Sequence, residues 1–421
     1  MTYFGTDGIR GRYNDVITKE LSFKLGRALC KMGFYEVVVA TDTRESKDDL
    51  VSGLVNGILS FGGKVVYGGV IPTPGLIYYS KLKKITGVMI TASHNPFHDN
   101  GLKIVNNGIK LCSDEELLIE KYLEEDTQCY FNETVNIDKV VYNTYYSFLE
   151  KYIIKSNYDI TIDCANGATY QIASDIFDKC SKQLSIISNE PNGKNINNKC
   201  GVMHLSNLLE TNPKIGFSFD GDGDRIMAVE NNKIIDGDQI VYIIAMYLKM
   251  HGMLKNNTVV LTKMSNIGIL KKLTYENIKY ILTDVGDKNV SKVLHDNNYS
   301  VGGENSGHII INDILPTGDG MLIALFLIKI MHETKKTLNE LLEGVHMYFD
   351  KMVNIKVKDR NIINKCSIVN MIKNIESNLD GKVIVRASGT EDVVRISVMA
   401  QSKEEVELNI NKVVNLIEGE T

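Results

Sequence analysis

The sequence predicts an α/β protein built from four successive units. Three observations carry this. From residue 36 onward, short β-branched runs alternate with longer segments whose apolar residues recur at helical spacing. The groups best able to do chemistry follow directly on the ends of those runs, where ligands gather in open α/β sheets. The length of 421 residues suits two to four domains with cores of their own.

In the first unit, "EVVVA" reads as a strand, "KDDLVSGLVNGILSF" as a helix, "KVVYG" as a strand, "GLIYYSKLKK" as a helix and "GVMIT" as a strand, a βαβαβ run with turn residues between. The helix "DEELLIEKYLE" and the polar stretch "EEDTQCYFNETVNID" lead out of it. A second unit begins near residue 144, where strands "DITIDC" and "IGFSF" flank helical segments and the second strand opens into "DGDGDR". The third has strand "TVVLT", a helix from Ser265, strand "YILT" and "GGENSGHIII", then a long helix beginning near Gly318. The tail reads strand "NIKVK", helix "IVNMIKNIES", strands "KVIVRAS" and "VVRISVMA", and a final helix.

Composition excludes several classes. Hydrophobic content of 43% and charged content of 24% are ordinary for a soluble protein. With a net charge of -5 and no concentrated basic stretch, no nucleic-acid partner is expected, and an anionic ligand must be held by local Arg and Lys. Seven Cys without a C-x-x-C pair suit reduced thiols and give no zinc site. The start "MTYFGTDGIRG" lacks the regions of a signal peptide, and the apolar run "MLIALFLI" falls far short of the roughly 18 residues of a membrane span. A cytoplasmic protein without membrane association is expected.

"TASHNP", residues 91 to 96, closes the apolar run "GVMI" and presents Ser93 at a strand end. A lipase-type elbow needs glycines two positions either side of the serine, and Thr91 and Asn95 stand there. In an extended chain neighbouring side chains point apart, which places His94 badly to take the Ser93 proton. In "DGDGDR", Asp220, Asp222 and Asp224 alternate with glycines after an apolar strand. Three carboxylates this close repel unless a cation sits among them, and an all-oxygen set points to Mg²⁺ or Mn²⁺; the alternative is a solvated acidic turn. "RASGTEDVVR" brings Arg386, Ser388, Gly389, Thr390 and Arg395 into one connection, a set suited to a phosphate dianion or, alternatively, a polar hairpin with exposed arginines. "GGENSGH" offers Glu304, Asn305, Ser306 and His308 on a glycine-flexed loop suited to a polyhydroxylated ligand, although Glu304 pairing a cation and His308 as a core histidine fit as well. Arg10 and Arg12 lie in the Gly-rich start, and the loop after Ser93 continues through "FHDNGLK" to Lys103.

Together, "FGTDGIRG", "TASHNP", "DGDGDR", "GGENSGH" and "RASGTE", in this order, resemble the α-D-phosphohexomutases, most of all the branch acting on glucosamine phosphates. "DCANGA", "NINNKCG", "MSNIG" and "PTGDG" resemble further segments of that branch, so the likeness runs from residue 3 to beyond 395. The resemblance implies a four-domain, heart-shaped phosphohexomutase fold: three related α/β domains with mixed sheets at 1–143, 144–240 and 241–350, and a smaller C-terminal α+β domain at 351–421, with the active cleft where they meet.

It also implies roles. Ser93 matches a phosphoserine, a phosphoryl carrier that needs no triad. Asp220, Asp222 and Asp224 match the aspartates that hold one Mg²⁺ together with that phosphoserine. Glu304 and Ser306 match sugar-hydroxyl contacts, and Arg386, Ser388, Gly389, Thr390 and Arg395 match the phosphate loop. Arg10, Lys103 and His308 match residues near the position of proton transfer. The implied reaction interconverts glucosamine 6-phosphate and glucosamine 1-phosphate through glucosamine 1,6-bisphosphate, feeding amino-sugar nucleotide synthesis for the cell wall. The expected partners are a small sugar phosphate and, as a homodimer, a second copy of the chain. Asn305 stands where the branch usually has Gln, Ala387 where Pro is usual, and Lys288 where Arg is usual. A mannose or glucose phosphate mutase, and a non-catalytic sugar-phosphate binder, remain the alternative readings.

Overall fold

A computed structural model of the chain describes residues 3–5, 7–387 and 392–420. The chain forms two compact units, Met1–Lys263 with Ile281–Leu342, and Met264–Tyr280 with Glu343–Thr421.

The first sheet of the first unit comprises β1 (Phe4–Gly5), β2 (Gly8–Arg12), β3 (Glu36–Thr41), β4 (Lys64–Val70), β5 (Thr86–Ile90), β6 (Asp99–Asn106) and β7 (Ile109–Lys110). Its order is β1-β2-β6-β5-β3-β4, with β7 on β6. β3 runs parallel to β4 and β5, whereas β6 is antiparallel to β5 and β2 to β6. The continuous apolar runs of β3 and β5 follow from burial on both faces. Val37, Val39, Val88 and Ile90 point into one core with Leu25, Leu29, Leu54 and Ile58 of helices Lys19–Lys31 and Lys47–Ser60. Val38, Ala40 and Met89 point the other way, against Leu76 and Ile77 of helix Thr73–Lys83.

The second sheet holds β8 (Asp159–Asp163), β9 (Gln183–Ile187), β10 (Ile215–Phe219), β11 (Ile226–Glu230) and β12 (Lys233–Ile235) in the order β12-β11-β10-β8-β9. β8 is parallel to β9 and β10, and β11 returns antiparallel to β10. The third sheet holds β13 (Thr258–Thr262), β14 (Lys279–Thr283), β15 (Val301–Gly303) and β16 (Ile309–Ile311) in the order β14-β13-β15-β16. The apolar helix Gly320–Thr334 follows, its first turn capped by Asp319, whose carboxylate accepts from Leu322 N at 2.9 Å.

The second unit is built on an antiparallel sheet of β17 (Phe349–Lys356), β18 (Gly381–Ala387) and β19 (Val393–Ala400), ordered β17-β19-β18. Ile368 and Ile375 of helix Cys366–Asn378, and Ile410, Val413 and Ile417 of the last helix, close its core on Val394, Ile396 and Val398. Helix Ile267–Tyr275 belongs to this unit: its cap Asn266 exchanges hydrogen bonds of 3.0 Å with both the N–H and the carbonyl of Tyr348.

The α/β class and mixed sheets agree with the sequence expectation. Two readings need correction. "FHDNGLK" is not a loop as far as Lys103: residues from Asp99 onward form β6, a strand whose turn-like Asp-Asn-Gly start conceals a register set by β5. The third unit's helix starts at Ile267, because Asn266 rather than Ser265 supplies the cap, accepting from Gly268 N at 3.0 Å.

Candidate active site

The site grows from two adjacent strand ends. β5 stops at Ile90, and Thr91 turns its hydroxyl to Asp42 Oδ2 at 2.6 Å while accepting from Ser93 N at 2.9 Å. Ser93 then takes the left-handed backbone region, φ 51°, a conformation that costs a non-glycine residue about 1–2 kcal/mol. Its side chain is thereby sent to Asp220, where Oγ donates to Oδ2 at 2.6 Å. Because Ser93 is not extended, His94 does not point away as the sequence reading expected; its Nδ1 lies 3.4 Å from Ser93 Oγ. Burial, then the neighbouring Arg225 and Arg10, push the His94 imidazole down to about 4.

β10 ends at Phe219, and "DGDGDR" connects it to β11. Gly223 has φ 73°, which lets the chain turn back so that Asp220, Asp222 and Asp224 converge. Ligand-capable oxygens of all three lie within 4.8 Å of one another, and the three residues are buried. The solvated acidic turn is therefore not what forms. Burial, and then Asp224 and Asp222, hold the Asp220 carboxyl well above the usual range. Burial would raise Asp224 too, but Lys103 and His308 keep it well below. Asp222 Oδ1 and Asp224 Oδ1 are buried oxygens with no hydrogen-bond partner. Orphaned, converging, hard oxygen donors fit a divalent cation such as Mg²⁺.

Cations of the chain surround this triplet. Lys103, on β6 opposite Met89, reaches Asp222 at 2.7 Å, Asp7 at 3.0 Å and Asp224 at 3.3 Å. Burial works against its charge, but Asp222, Asp224 and Asp7 hold it well above the usual lysine value. Arg10, on β2, pairs with Asp7. His308 Nδ1 lies 3.7 Å from Asp224, and its Nε2 lies 3.7 Å from Asp287. Lys110 joins the remaining members, pairing with Asp287 and standing 2.6 Å from Asp7. Asp224, Lys103, Asp7, Lys110, Asp287 and His308 thus close a ring of acidic and basic side chains, and all of them but His308 line a cavity that also meets Thr73, Lys288 and Thr317. His308 is neither an isolated core histidine nor a surface one.

The connection from β15 to β16 carries Glu304, Ser306 and His308 and lies against the acidic turn, with Ile226 N donating to Gly307 O at 3.0 Å. Glu304 is buried and accepts from Gly286 N at 3.0 Å. Ser93, Arg10, Lys103, the three aspartates, Glu304, Ser306 and His308 all belong to the first unit. Arg386 and Arg395 belong to the second, directly opposite each other on β18 and β19. Like charges facing across a strand pair disfavour the sheet and favour an anion beside them. Ser388, Gly389 and Thr390 lie outside the described residues.

Sequence reasoning missed Asp7, Asp42, Arg44, Thr73, Lys110, Asn197 and Asp287. Asp7 lies within "FGTDGIRG", three residues before Arg10, and Asp287 directly precedes Lys288. Lys110 sits on a two-residue strand with no local signal.

Comparison with known proteins accords with this arrangement. Three domain families match: phosphoglucomutase/phosphomannomutase alpha/beta/alpha domain I over residues 1–129, alpha/beta/alpha domain III over 236–348, and the C-terminal domain over 352–415. A phosphoglucosamine mutase of Bacillus velezensis is 40% identical over 446 residues, covering 99% of this chain and 98% of its own. Among solved structures, a putative phosphomannomutase from Thermus thermophilus superposes with a TM-score of 0.81 at 23% identity, covering 99% of this chain and 98% of that one. An Aspergillus fumigatus N-acetylphosphoglucosamine mutase, solved with GlcNAc-6P and magnesium, gives 0.68 at 18%, covering 91% and 83%. The buried serine and aspartate triplet therefore stand in a chain that belongs to the phosphohexomutase family, in its phosphoglucosamine mutase branch.

Proposed function

We propose that the protein interconverts glucosamine 6-phosphate and glucosamine 1-phosphate, with Ser93 as the phosphoryl carrier and glucosamine 1,6-bisphosphate as the intermediate. The observation that carries this reading is the 2.6 Å hydrogen bond from Ser93 Oγ to Asp220, one of three buried, converging aspartates. The whole-chain likeness to a phosphoglucosamine mutase supports the choice of sugar.

Phosphorylated Ser93 gives its phosphoryl group to the free hydroxyl of the monophosphate, and after the bisphosphate turns end for end the other phosphate returns to Ser93. Asp220, Asp222 and Asp224, with the phosphoserine, would hold Mg²⁺, whose chemistry there would be charge neutralisation of the transferring phosphate. Lys103, His308 and Arg10, set by the ring of charges, stand at the position of proton transfer, where Lys103 in its ammonium form can give a proton but not take one. Glu304 and Ser306 bind sugar hydroxyls, and Arg386, Ser388, Gly389, Thr390 and Arg395 hold the phosphate that is not being transferred. Positioning and charge neutralisation carry most of the rate. The four domains divide at 1–143, 144–240, 241–350 and 351–421, the protein works in the cytoplasm, and a homodimer is its expected assembly.

A coupled assay on glucosamine, glucose and mannose 6-phosphates tests the reading. Glucosamine 6-phosphate is expected to give the highest kcat/KM; preference for either other sugar would overturn the substrate assignment, and turnover of none would overturn the mutase assignment.

A further inference from the structure

The backbone of the serine turn is gripped from behind by two side chains that touch no substrate in the mechanism above. Arg44 is fully buried and uses every N–H of its guanidinium. Nε donates to Asp42 at 2.9 Å, Nη1 donates to the carbonyls of Pro96 and, at 3.0 Å, Asp99, and Nη2 donates to the carbonyls of Ser93 at 3.0 Å and Asn95 at 2.8 Å. Asn197, from the connection between β9 and β10, makes the same fork with its amide: Nδ2 donates to Ser93 O at 2.8 Å and to Asn95 O at 3.1 Å. Two carbonyls two residues apart thus each accept from both forks, which spans the turn and fixes its curvature. Gly221 makes room for this: a Cβ there would fall 2.5 Å from Ser93 O and 2.8 Å from Asn197 Nδ2.

We infer that Arg44 and Asn197 are positioning residues for phosphoryl transfer, holding Ser93 in its left-handed backbone conformation so that Oγ faces the aspartate triplet. The argument runs from strain to its restraint. A serine at φ 51° persists where surrounding contacts over-determine it, and such outliers gather where geometry serves function. Here the contacts converge on the carbonyl of the strained residue itself, and one comes from the same connection-rich side of the second sheet that carries the aspartates. With either fork removed, the turn relaxes toward commoner backbone angles and Oγ swings away from Asp220. In-line transfer depends steeply on such placement, whereas none of the residues assigned above to binding the sugar phosphate lies in this turn.

The inference rests on the reading of Ser93 as the phosphoryl carrier, and its test separates the two. Arg44→Ala would leave Asp42 buried without its cation and take one donor from each of four carbonyls, so it tests folding first. Asn197 has φ 56°, which glycine adopts freely, so Asn197→Gly removes the fork and keeps the backbone; Asn197→Asp, of equal size, replaces the donor by an acceptor facing two carbonyls. Full-length protein is mixed with Mg²⁺ and glucose 1,6-bisphosphate, phosphate uptake on Ser93 is followed by intact mass, and kcat and KM are measured per folded molecule, as judged by thermal melts. Wild-type protein takes up one phosphate; both variants are expected to do so roughly ten- to hundredfold more slowly, with kcat falling alike and KM for glucosamine 6-phosphate little changed. Wild-type uptake and kcat in both variants, or a loss confined to KM, would overturn the positioning role. Wild-type protein that turns over without ever carrying phosphate on Ser93 would overturn the carrier reading and the positioning role with it.

Discussion

Lys103 Nζ lies 2.7 Å from Asp222 Oδ2 and is held inside the carboxylate triplet, since the same nitrogen stands 3.3 Å from Asp224. The ammonium therefore neutralises part of the charge of two carboxylates whose other oxygens, Asp222 Oδ1 and Asp224 Oδ1, are left without a hydrogen-bond partner. A divalent cation on those oxygens would share the carboxylates with Lys103, and removing either would change what the other must do.

Lys103→Met is expected to lower thermal stability strongly in the absence of divalent metal. It leaves Asp7, Asp222 and Asp224 without their shared ammonium, and breaking a buried pair this way costs about 3–5 kcal/mol. Added Mg²⁺ should recover more of the melting temperature in the variant than in the wild type, because it binds the folded state alone. Thermal melts with chelator and with Mg²⁺ check this. Equal responses to Mg²⁺ in both proteins would mean that lysine and metal do not share the triplet.

Asp222→Asn should reduce kcat far more than it raises KM, because the lost charge acts on the transferring phosphoryl group rather than on ground-state binding. A chelator should mimic the substitution in the wild type and add little in the variant. Steady-state kinetics of chelated enzyme that retains full activity would remove the metal from the mechanism.

These two expectations show which part of the site was legible in the sequence. The Asp-Gly alternation after an apolar run gave away both the strand end and the convergence, because glycine spacing and like-charge repulsion are local properties. Ser93 was legible by its place at a strand end, but its backbone conformation was not, since the grip comes from Arg44 and Asn197, far away in the chain. The ring through Lys110 was hidden for the same reason: its partners Asp7 and Asp287 are 103 and 177 residues distant. Strand β6 escaped notice because its neighbours β5 and β2, not its own Asp-Asn-Gly opening, make it a strand.

Arg386→Ala should act on affinity. Its partner across the strand pair is Arg395, and both are proposed to hold the phosphate that is not being transferred, a contact alike in ground and transition states. Losing a charged hydrogen bond of about 1.5–3 kcal/mol corresponds to roughly a ten- to hundredfold rise in KM with kcat nearly kept. Unchanged KM for both monophosphates would place the phosphate elsewhere.

Asp319 gives the protein a pH dependence of its own. Burial pushes its carboxyl up to about 7, with Leu322 N and the Tyr145 hydroxyl, at 2.9 Å each, only partly offsetting this. The folded state therefore favours the neutral acid. The stabilisation from a folded value above the unfolded one is complete below about pH 4 and lost as pH rises through about 7. Asp319→Asn keeps an acceptor for both donors and cannot ionise, so wild-type stability should fall relative to the variant between about pH 4 and 7 and then level off. Denaturant melts of both proteins across that range check it; a constant difference would mean that Asp319 is ionised throughout.

The phosphoryl group on Ser93 is the centre of the account, and following it gives the most direct test. Protein carrying radiolabelled phosphate on Ser93 is mixed with Mg²⁺ and unlabelled glucosamine 6-phosphate, and the label is traced at short times. The account predicts that label leaves the protein at the rate of turnover, appearing first in glucosamine 1,6-bisphosphate and then in glucosamine 1-phosphate, and that Ser93→Ala protein neither takes up label nor turns over. Label that stays on the protein while glucosamine 1-phosphate accumulates, or an Ala variant with wild-type turnover, would contradict it.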